Sequence, residues 1–482
     1  MRQEGAEFVV PHGVDPATVV SALAEHHSIV VGGTRTVDRT FVDTFDGVLY
    51  RAGLVVDRTE LPVEGIDALV GVRALLPVAR VRSRFQDIAV LNRDEKTVAR
   101  IEVERSAVVR RRQPALSLAP RLRVSHVRGY ERACERVCRT LTDDLDVMPA
   151  TQALFDEAVR ASGRDPKGTS ARVVVPFDDR ERADRAVAAL LGRLAEVMDD
   201  HLPGTLEHID TEFLHDYRIA VRQTRALLRE MKGVLPQTEV VHFREELRWL
   251  QQVTGPLRDL DVHLIEVAGY RTALPASLAA HLDPLAEMLH ARRSVALRRM
   301  RRALRSQRRQ QLRSDWVAFI DSLPRLSGEG GPPLAAQPIG TMARTRARKV
   351  YEQMVRLGET IDDDTAAEAL HELRRRGKEL RYLMELFASV FPAGQTKPLV
   401  STLKALQDTL GCFQDREVQA DAMLALAGEL ARADGGPGAL MVVGVIVSRL
   451  QSEQQAARAD FAARFAPFAE AATRQMVTKT FR

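Results

Sequence analysis

The spacing of apolar residues changes about a third of the way along the chain. Up to about residue 150, short runs rich in Val and Ile alternate with turns, which predicts strands; examples are FVVP, SIVVGG, DIAVLN and ARIEVERSAVV. Beyond about residue 175, apolar residues recur at i, i+3, i+4 and i+7 between Arg, Glu, Gln and Ala, which predicts amphipathic helices. We therefore expect an α+β domain followed by an all-α domain.

A segment containing Gly, Pro and Ser separates the two patterns. SGRDPKGTS, at residues 162–170, is typical of a linker. The chain has 482 residues, more than one ordinary core accommodates. We assign residues 1–160 to the N-terminal domain, 161–174 to the linker and 175–482 to the helical domain.

The helical domain contains an internal repeat. HDYRIAVRQTRALLREM begins at His215 and HELRRRGKELRYLMELF at His371, while LRWLQQVTGPLRDLDV begins at Leu247 and LKALQDTLGCFQDREV at Leu403. The members of both pairs are 156 residues apart. Two matches at one offset predict two copies of a helical unit, related by a pseudo-twofold axis. The predicted copies span about residues 175–327 and 334–482, with a Gly- and Pro-rich join at 328–333.

Each copy carries a histidine and three cations at the same four offsets, 0, 3, 7 and 10. The residues are His215, Arg218, Arg222 and Arg225 in the first copy and His371, Arg374, Lys378 and Arg381 in the second. At the helical rotation of about 100° per residue, these offsets fall within about 80° of one face and span about 15 Å. Such a row suits a chain of phosphates, because arginine offers a planar fork of donors and lysine a compact charge. The alternative, a solvated basic face, is weakened by the recurrence of the pattern and by the apolar stripe opposite it.

The two histidines support two interpretations. A histidine on a helix more often packs or makes a hydrogen bond than binds a ligand, yet its recurrence makes phosphate contact or helix orientation an equal alternative. Near neutral pH such a histidine can gain a proton beside a bound polyanion. No nucleophile and acid accompany either position, so neither histidine is predicted to be catalytic.

A third basic cluster occupies Ala291–Ser314, which contains ten arginines and no acidic residue. We predict a helix over Arg292–Arg313 that needs an anionic neighbour, because so many like charges repel one another. With the two motif helices it would form the third wall of a groove for an extended polyanion, whose binding would weaken with salt. The residues expected to face this groove are Arg298, Arg302, Arg305 and Arg309.

The overall composition narrows the classes of function. Aromatic residues make up 5% of the chain, which disfavours base stacking on aromatic platforms, and the net charge of +5 is small beside the local clusters. Three cysteines do not suggest a disulfide framework, and the first residues lack a signal-peptide pattern. The most apolar run, Ala439–Val447, is about half a membrane span. We expect a cytoplasmic protein with no cofactor and no membrane contact.

The repeated residues resemble those of the CHAD family, the conserved histidine α-helical domain. The family pattern His-x-x-Arg-x-x-x-Arg/Lys-x-x-Arg occurs at His215 and His371, and LRWL, LRDLDV and ELRYLMELF (Glu379–Phe387) are also typical. The resemblance covers about residues 175–482. It implies two pseudo-symmetric helical bundles that bind inorganic polyphosphate, often in association with polyphosphate granules.

The first 160 residues resemble a CYTH domain, a fold of triphosphate tunnel metalloenzymes that often precedes a CHAD domain. TFVDTFDGVLYRAGLVV (Thr40–Val56) and ARIEVERSAV are similar to family segments. The resemblance implies antiparallel strands in a partial or complete barrel. It also implies triphosphate hydrolysis, in which carboxylates hold a divalent metal that polarises phosphate oxygens.

The residues that this chemistry needs are replaced. Aligned on Phe8, this chain has Gln3, Gly5 and Glu7 where the family has Glu-x-Glu-x-Lys. The strand RLRVSHV (Arg121–Val127) has arginines where a Glu-x-Glu strand is usual. We therefore expect a degenerate, inactive CYTH-like domain without a metal site.

Three functions stay open at this point. The first is a non-enzymatic protein that binds inorganic polyphosphate in the basic groove of the helical domain. The second is a metal-dependent triphosphatase that uses the helical domain as a polyphosphate anchor, which the missing carboxylates disfavour. The third is a nucleic-acid-binding protein, which the scarcity of aromatic residues disfavours. The sequence assigns no oligomeric state.

Overall fold

The chain folds into two units, Met1–Ser170 and Ala171–Arg482. The first is built on an antiparallel sheet and the second is helical, which confirms the predicted order of fold classes. Residues 328–330 of the predicted join at 328–333 lie outside the described residues. The structure, a computed structural model, describes residues 5–11, 13–110, 112–323 and 331–481.

The N-terminal unit is one antiparallel sheet with helices packed on it. Its elements are β1 (Ala6–Val9), α1 (Pro16–His26), β2 (Ile29–Asp43), α2 (Val48–Arg51), β3 (Val56–Asp57), α3 (Ile66–Val70), β4 (Leu76–Leu91), β5 (Thr97–Val108), β6 (Leu116–Ser117), β7 (Arg121–His126), α4 (Glu131–Arg139), β8 (Met148–Pro149) and α5 (Leu154–Ala161). The strand order is β3-β2-β4-β5-β7-β1-β8, and β6 pairs with β5. Leu23 of α1 and Val137 of α4 pack with Ile101 and Val124 of the sheet.

The segment Thr40–Val56 is not one continuous strand. Strand β2 ends at Asp43, whose carboxylate accepts hydrogen bonds from the backbone N–H groups of Leu49 and Tyr50, each at 2.9 Å. Gly47, with a φ of 70°, starts the short helix α2 between β2 and β3. A buried carboxylate thus stops the strand where its apolar pattern alone would continue it.

The C-terminal unit is helical in its described secondary structure. Its helices are α6 (Ala183–Glu207), α7 (Thr211–Glu230), α8 (Gln237–Ala273), α9 (Ala276–Ala279), α10 (Asp283–Leu304), α11 (Gln307–Ser322), α12 (Ile339–Gly358), α13 (Ala367–Leu386), α14 (Ala393–Leu430), α15 (Gly436–Ala469) and α16 (Ala471–Thr480). The starts of α6 and α12, of α7 and α13, and of α8 and α14 are each 156 residues apart. The helix boundaries therefore follow the sequence repeat.

One continuous core runs through both copies of the repeat. Leu190, Leu214 and Leu228 of the first copy belong to the same apolar cluster as Tyr351 and Leu380 of the second. A second cluster joins the end of α8 to α10, α14 and α15. The two copies of the motif are thus held together by burial of apolar surface.

The predicted helix over Arg292–Arg313 is wrong, because the segment forms two helices. Helix α10 ends at Leu304, and α11 begins at Gln307. Ser306 lies between them, and its hydroxyl accepts a hydrogen bond from the backbone N–H of Arg309 at 3.4 Å. Serine is a favoured N-cap, so it starts a new helix inside the basic run.

The apolar run Ala439–Val447 lies in α15, where Ala439, Val442 and Ile446 are buried. Within the described residues, no helix combines the length and the apolar character that crossing a bilayer requires.

Replacing Leu190 with Ala should lower the free energy of unfolding of the helical unit by about 2–5 kcal/mol, since its side chain is fully buried in the shared core. Both tryptophans, Trp249 in α8 and Trp316 in α11, lie in this unit, so their fluorescence during urea unfolding of the full chain reports on it. Leu424→Ala is the matched control, because Leu424 is 52% exposed and should change stability by less than about 0.5 kcal/mol. Equal losses for the two variants would contradict the assignment of the core.

Candidate anion-binding site

The motif helices α7 and α13 contact each other through a reciprocal pair of polar contacts. Nη2 of Arg229 lies 2.8 Å from Oε1 of Glu379, and Nε2 of Gln223 donates to Oε2 of Glu385 at 3.5 Å. Positions 223 and 379 are equivalent in the repeat, as are 229 and 385, so each contact maps onto the other when the copies are exchanged. A twofold axis generates contacts of this kind. They support the predicted pseudo-twofold relation, which stays a prediction for the whole unit.

Cations of both copies converge at this contact. Burial, followed by the charges of Arg374 and Arg222, lowers the pKa of Lys378 to about 8, and Arg381 acts in the same direction. Arg222 belongs to the first copy and the other three side chains to the second. Cations of the two predicted rows are thus close enough to repel one another across the contact.

The first arginine of each motif lies against the long helix that follows it. Nη1 of Arg218 donates to the carbonyl oxygen of Gln251 at 2.9 Å, and Nη2 of Arg374 donates to Oδ1 of Asp415 at 2.9 Å. The repeated glycines of α8 and α14 lie beside these guanidinium groups, at distances where a Cβ would make ordinary van der Waals contact. A Cβ at Gly255 would lie 3.5 Å from Nη1 of Arg218, and one at Gly411 would lie 3.8 Å from Nη2 of Arg374.

Arg222 and Arg225 have donors that the protein does not use. The Nε groups of both side chains are buried, and neither arginine has a hydrogen-bond or ion-pair partner among the described residues. Burial lowers the pKa of Arg225, and the charges of Arg244, Arg229 and Arg248 lower it further. Buried donors without partners cost free energy, so these guanidinium groups are disposed to bind an anion.

The motif histidines have different surroundings in the two copies. Burial and the charge of Arg258 lower the pKa of His215 to about 4, so this imidazole is neutral near pH 7 in the free protein. Nε2 of His371 lies 2.7 Å from Oε2 of Glu417. The histidine of the first copy therefore adds no positive charge at neutral pH in the free protein.

The arginines of α10 and α11 are largely used inside the protein. Arg293 contacts Asp261 at 2.7 Å, Arg308 contacts Glu246 at 2.9 Å and Arg313 contacts Asp199 at 2.7 Å; these three contacts hold the basic helices on their neighbours. Acidic residues from distant parts of the chain thus supply the anionic neighbours that the sequence required. In the described parts of the chain, no hydrogen bond or ion pair joins a motif side chain to any of the predicted groove residues Arg298, Arg302, Arg305 and Arg309; Nε of Arg309 donates to the carbonyl oxygen of Leu304 at 3.1 Å.

Helix α8 supplies the cations that flank the first motif. The charges of Arg244 and Arg248 lower the pKa of Arg225, and the charge of Arg258 lowers the pKa of His215. Sequence reasoning missed these residues, although a signal was present: Arg248 and Lys404 are both basic and 156 residues apart.

Three glutamates of the N-terminal sheet are each paired with an arginine. Nη1 of Arg121 donates to Oε1 of Glu7 at 2.9 Å, Arg35 pairs with Glu102, and Arg39 pairs with Glu104. Arg35, Arg39 and Glu102 line a cavity of about 710 Å³. No group of three or more His, Cys, Asp or Glu side chains is placed to hold a metal ion in the described residues.

These pairings do not fit a divalent metal. A metal of the kind that the CYTH resemblance implies needs carboxylate oxygens that are free to coordinate it. Here an arginine occupies each of these carboxylates. Of the three replaced positions, Gly5 precedes β1 and Glu7 lies in it, while Gln3 is outside the described residues.

Comparison with known proteins identifies the helical region. Residues 188–424 match the family model of the CHAD domain. Two uncharacterised proteins of Mycobacterium tuberculosis, from strains CDC 1551 and H37Rv, are each 30% identical over 220 residues, which cover 44% of this chain and 40% of each relative. The chain therefore spans well under half the length of these relatives.

Two solved structures are similar to part of the chain. The CHAD domain from the plant Ricinus communis has 22% identity and a TM-score of 0.47, and the match covers 64% of this chain and 95% of that one. PptA from Streptomyces chartreusis has 17% identity and a TM-score of 0.46, covering 59% of this chain and 99% of that one. The similarity to the CHAD domain thus lies within the helical unit, at residues 188–424.

Proposed function

We propose that this protein binds inorganic polyphosphate at the contact between α7 and α13. The observation that carries the proposal is the convergence of Lys378 and Arg222 from the two copies, next to the unpartnered donors of Arg225. A polyphosphate chain supplies closely spaced negative charge and acceptor oxygens that satisfy these groups together. Because the CHAD resemblance implies association with polyphosphate granules, we extend the proposal to that association.

The surroundings of the motif favour phosphates over bases. Tyr217 and Tyr382, the tyrosines of the two motif helices, are 3% and 6% exposed, so neither offers an open ring for base stacking. Trp249 is engaged with Arg308, whose guanidinium carbon lies 4.4 Å from the ring centroid. A nucleic acid would therefore interact through its backbone alone, with fewer charges per unit length than polyphosphate carries.

Competition between polyanions tests this choice. Affinities for long-chain polyphosphate and for single-stranded DNA, compared at equal phosphate concentration across a salt series, should favour polyphosphate at every salt concentration. Equal affinity for DNA would replace the proposal with the nucleic-acid-binding alternative.

The double substitution Arg222→Ala and Lys378→Ala should weaken polyphosphate binding about 100- to 10,000-fold, because each cation makes charge-assisted hydrogen bonds worth about 1.5–3 kcal/mol. The dependence of affinity on salt should also become less steep. The matched control replaces Lys349 and Arg356, an exposed lysine and arginine of α12, with Ala. If a folded motif variant bound as tightly as this control, the motif would not be the site.

Polyphosphate affinity should fall as the pH rises through about 8. Lys378 has a pKa of about 8 in the free protein, and a bound polyanion raises that pKa by stabilising the ammonium. The contribution of the Lys378 ammonium to affinity is therefore present well below pH 8 and is lost as the pH rises from the free to the bound pKa. The dissociation constant should be about tenfold larger at pH 9 than at pH 7. Titrations at constant ionic strength measure this change. Lys378→Arg should remove most of the pH dependence, and an unchanged profile in that variant would assign the effect to another group.

The N-terminal unit should not hydrolyse triphosphate. Because arginines occupy Glu7, Glu102 and Glu104, adding magnesium or manganese to the full chain should release no phosphate from tripolyphosphate above the rate of a heat-denatured sample. Thermal melting should likewise be unaffected by either metal at low millimolar concentration. Metal-dependent release by the native chain would instead favour the triphosphatase alternative.

A further inference from the structure

The two copies of the motif differ in how many of their cations are free. In the first copy, the hydrogen bonds of Arg218 go to neutral acceptors, the carbonyl oxygen of Gln251 and the hydroxyl of Thr254, each at 2.9 Å. Arg222 and Arg225 have no partner within the described part of the chain. None of the three motif arginines of this copy is therefore paired with a carboxylate in the described residues.

Carboxylates lie beside three of the four motif side chains of the second copy, all except Lys378. Arg374 donates to Asp415 at 2.9 Å, and Nε of Arg381 lies 3.5 Å from Oε1 of Glu385. His371 lies 2.7 Å from Glu417. An anion that reaches these side chains has to compete with an internal carboxylate for each.

Equivalent carboxylates of the first copy are directed elsewhere or are absent. Asp261, the equivalent of Glu417, is almost fully buried and contacts Arg293 at 2.7 Å and His208 at 3.3 Å. Position 229, the equivalent of Glu385, is an arginine. Asp259, the equivalent of Asp415, acts electrostatically on Arg218, but the hydrogen bonds of Arg218 go to Gln251 and Thr254 instead.

Helix α8 carries two cations that α14 lacks, Arg244 and Arg258, and Arg258 lies 3.5 Å from Glu212. Arg244 is half-buried beside Arg225, and no ion pair or hydrogen bond of its guanidinium occurs in the described residues. The equivalent position in α14 is Val400, and the equivalent of Arg258 is Gln414. Divergence between α8 and α14 therefore enlarges the charge difference between the two copies.

From these differences we infer that the first copy is the primary anion-binding half-site. It is formed by Arg222, Arg225 and Arg244, together with the exposed Arg248, which lies 4.0 Å from Glu245. This inference rests on the proposed polyphosphate binding and deepens it. A short oligophosphate fills the first half-site by itself. A long chain continues across the α7–α13 contact into the second half-site, where it displaces Asp415 and Glu417. Binding therefore has a direction, with the first copy as the anchor.

Matched substitutions at equivalent positions test the asymmetry. Arg225→Gln with Arg248→Gln alters the first copy, and Arg381→Gln with Lys404→Gln makes the equivalent changes in the second. With tripolyphosphate as the probe, the first variant should lose about 10- to 100-fold in affinity and the second less than about threefold. With long-chain polyphosphate, both variants should lose affinity, the first by more.

Equal losses of tripolyphosphate affinity, or a larger loss in the second variant, would overturn the inference and leave polyphosphate binding intact. If the unaltered protein bound neither probe, the proposed function itself would fail. Circular dichroism of each variant establishes that it is folded, so that a loss of affinity is a loss of contacts.

Removing a competing carboxylate gives the complementary result. Asp415→Asn should raise the affinity for long-chain polyphosphate about threefold or more, because Arg374 is released from its ion pair. Asp259→Asn is the matched control at the equivalent position, where the hydrogen bonds of Arg218 go to neutral groups. An equal gain in both variants would mean that net charge, and not the engagement of Arg374, determines affinity.

Discussion

Desolvated positive charge where α7 meets α13 is the constraint on which the helical unit depends. Lys378 and Arg222 approach from different copies, and both the repulsion between them and their loss of hydration oppose the contact. The opposing free energy comes from the apolar core that both copies share, to which Leu228 and Leu380 of the two motif helices belong. Because the core holds these like charges together, an anion bound at the contact would reduce their repulsion.

Arginines elsewhere in the same unit show the opposite arrangement. Those of α10 and α11 meet carboxylates such as Asp261, Glu246 and Asp199, and these pairs fasten helices together. The density of arginine along the chain therefore does not by itself locate a binding site. Unlike these carboxylate-paired arginines, Arg222 and Arg225 have buried Nε groups for which the described residues provide no acceptor.

Features that depend on local spacing could be predicted from the sequence. The repeat offset of 156 residues anticipated the starts of three helix pairs, and the motif offsets placed eight side chains on two facing helices. Tertiary partners could not be predicted: the carboxylates beside the basic run lie tens of residues away or more, and Asp43 ends β2 by accepting bonds from residues that follow it. Ser306 is a favoured N-cap residue, so the sequence contained a signal for the break between α10 and α11. The continuous run of arginines around it favoured a single helix instead.

The reciprocal contacts between α7 and α13 also determine which surfaces can pair. If α13 met α13 of another molecule in the same geometry, Glu379 would face Glu385, and the two carboxylates would repel each other. If α7 met α7, Gln223 would face Arg229, and the partner that now pairs with Arg229 would be missing. Divergence at two equivalent positions thus favours pairing of unlike copies within one chain. A duplicated unit that could in principle assemble as a homodimer is in this way committed to folding upon itself.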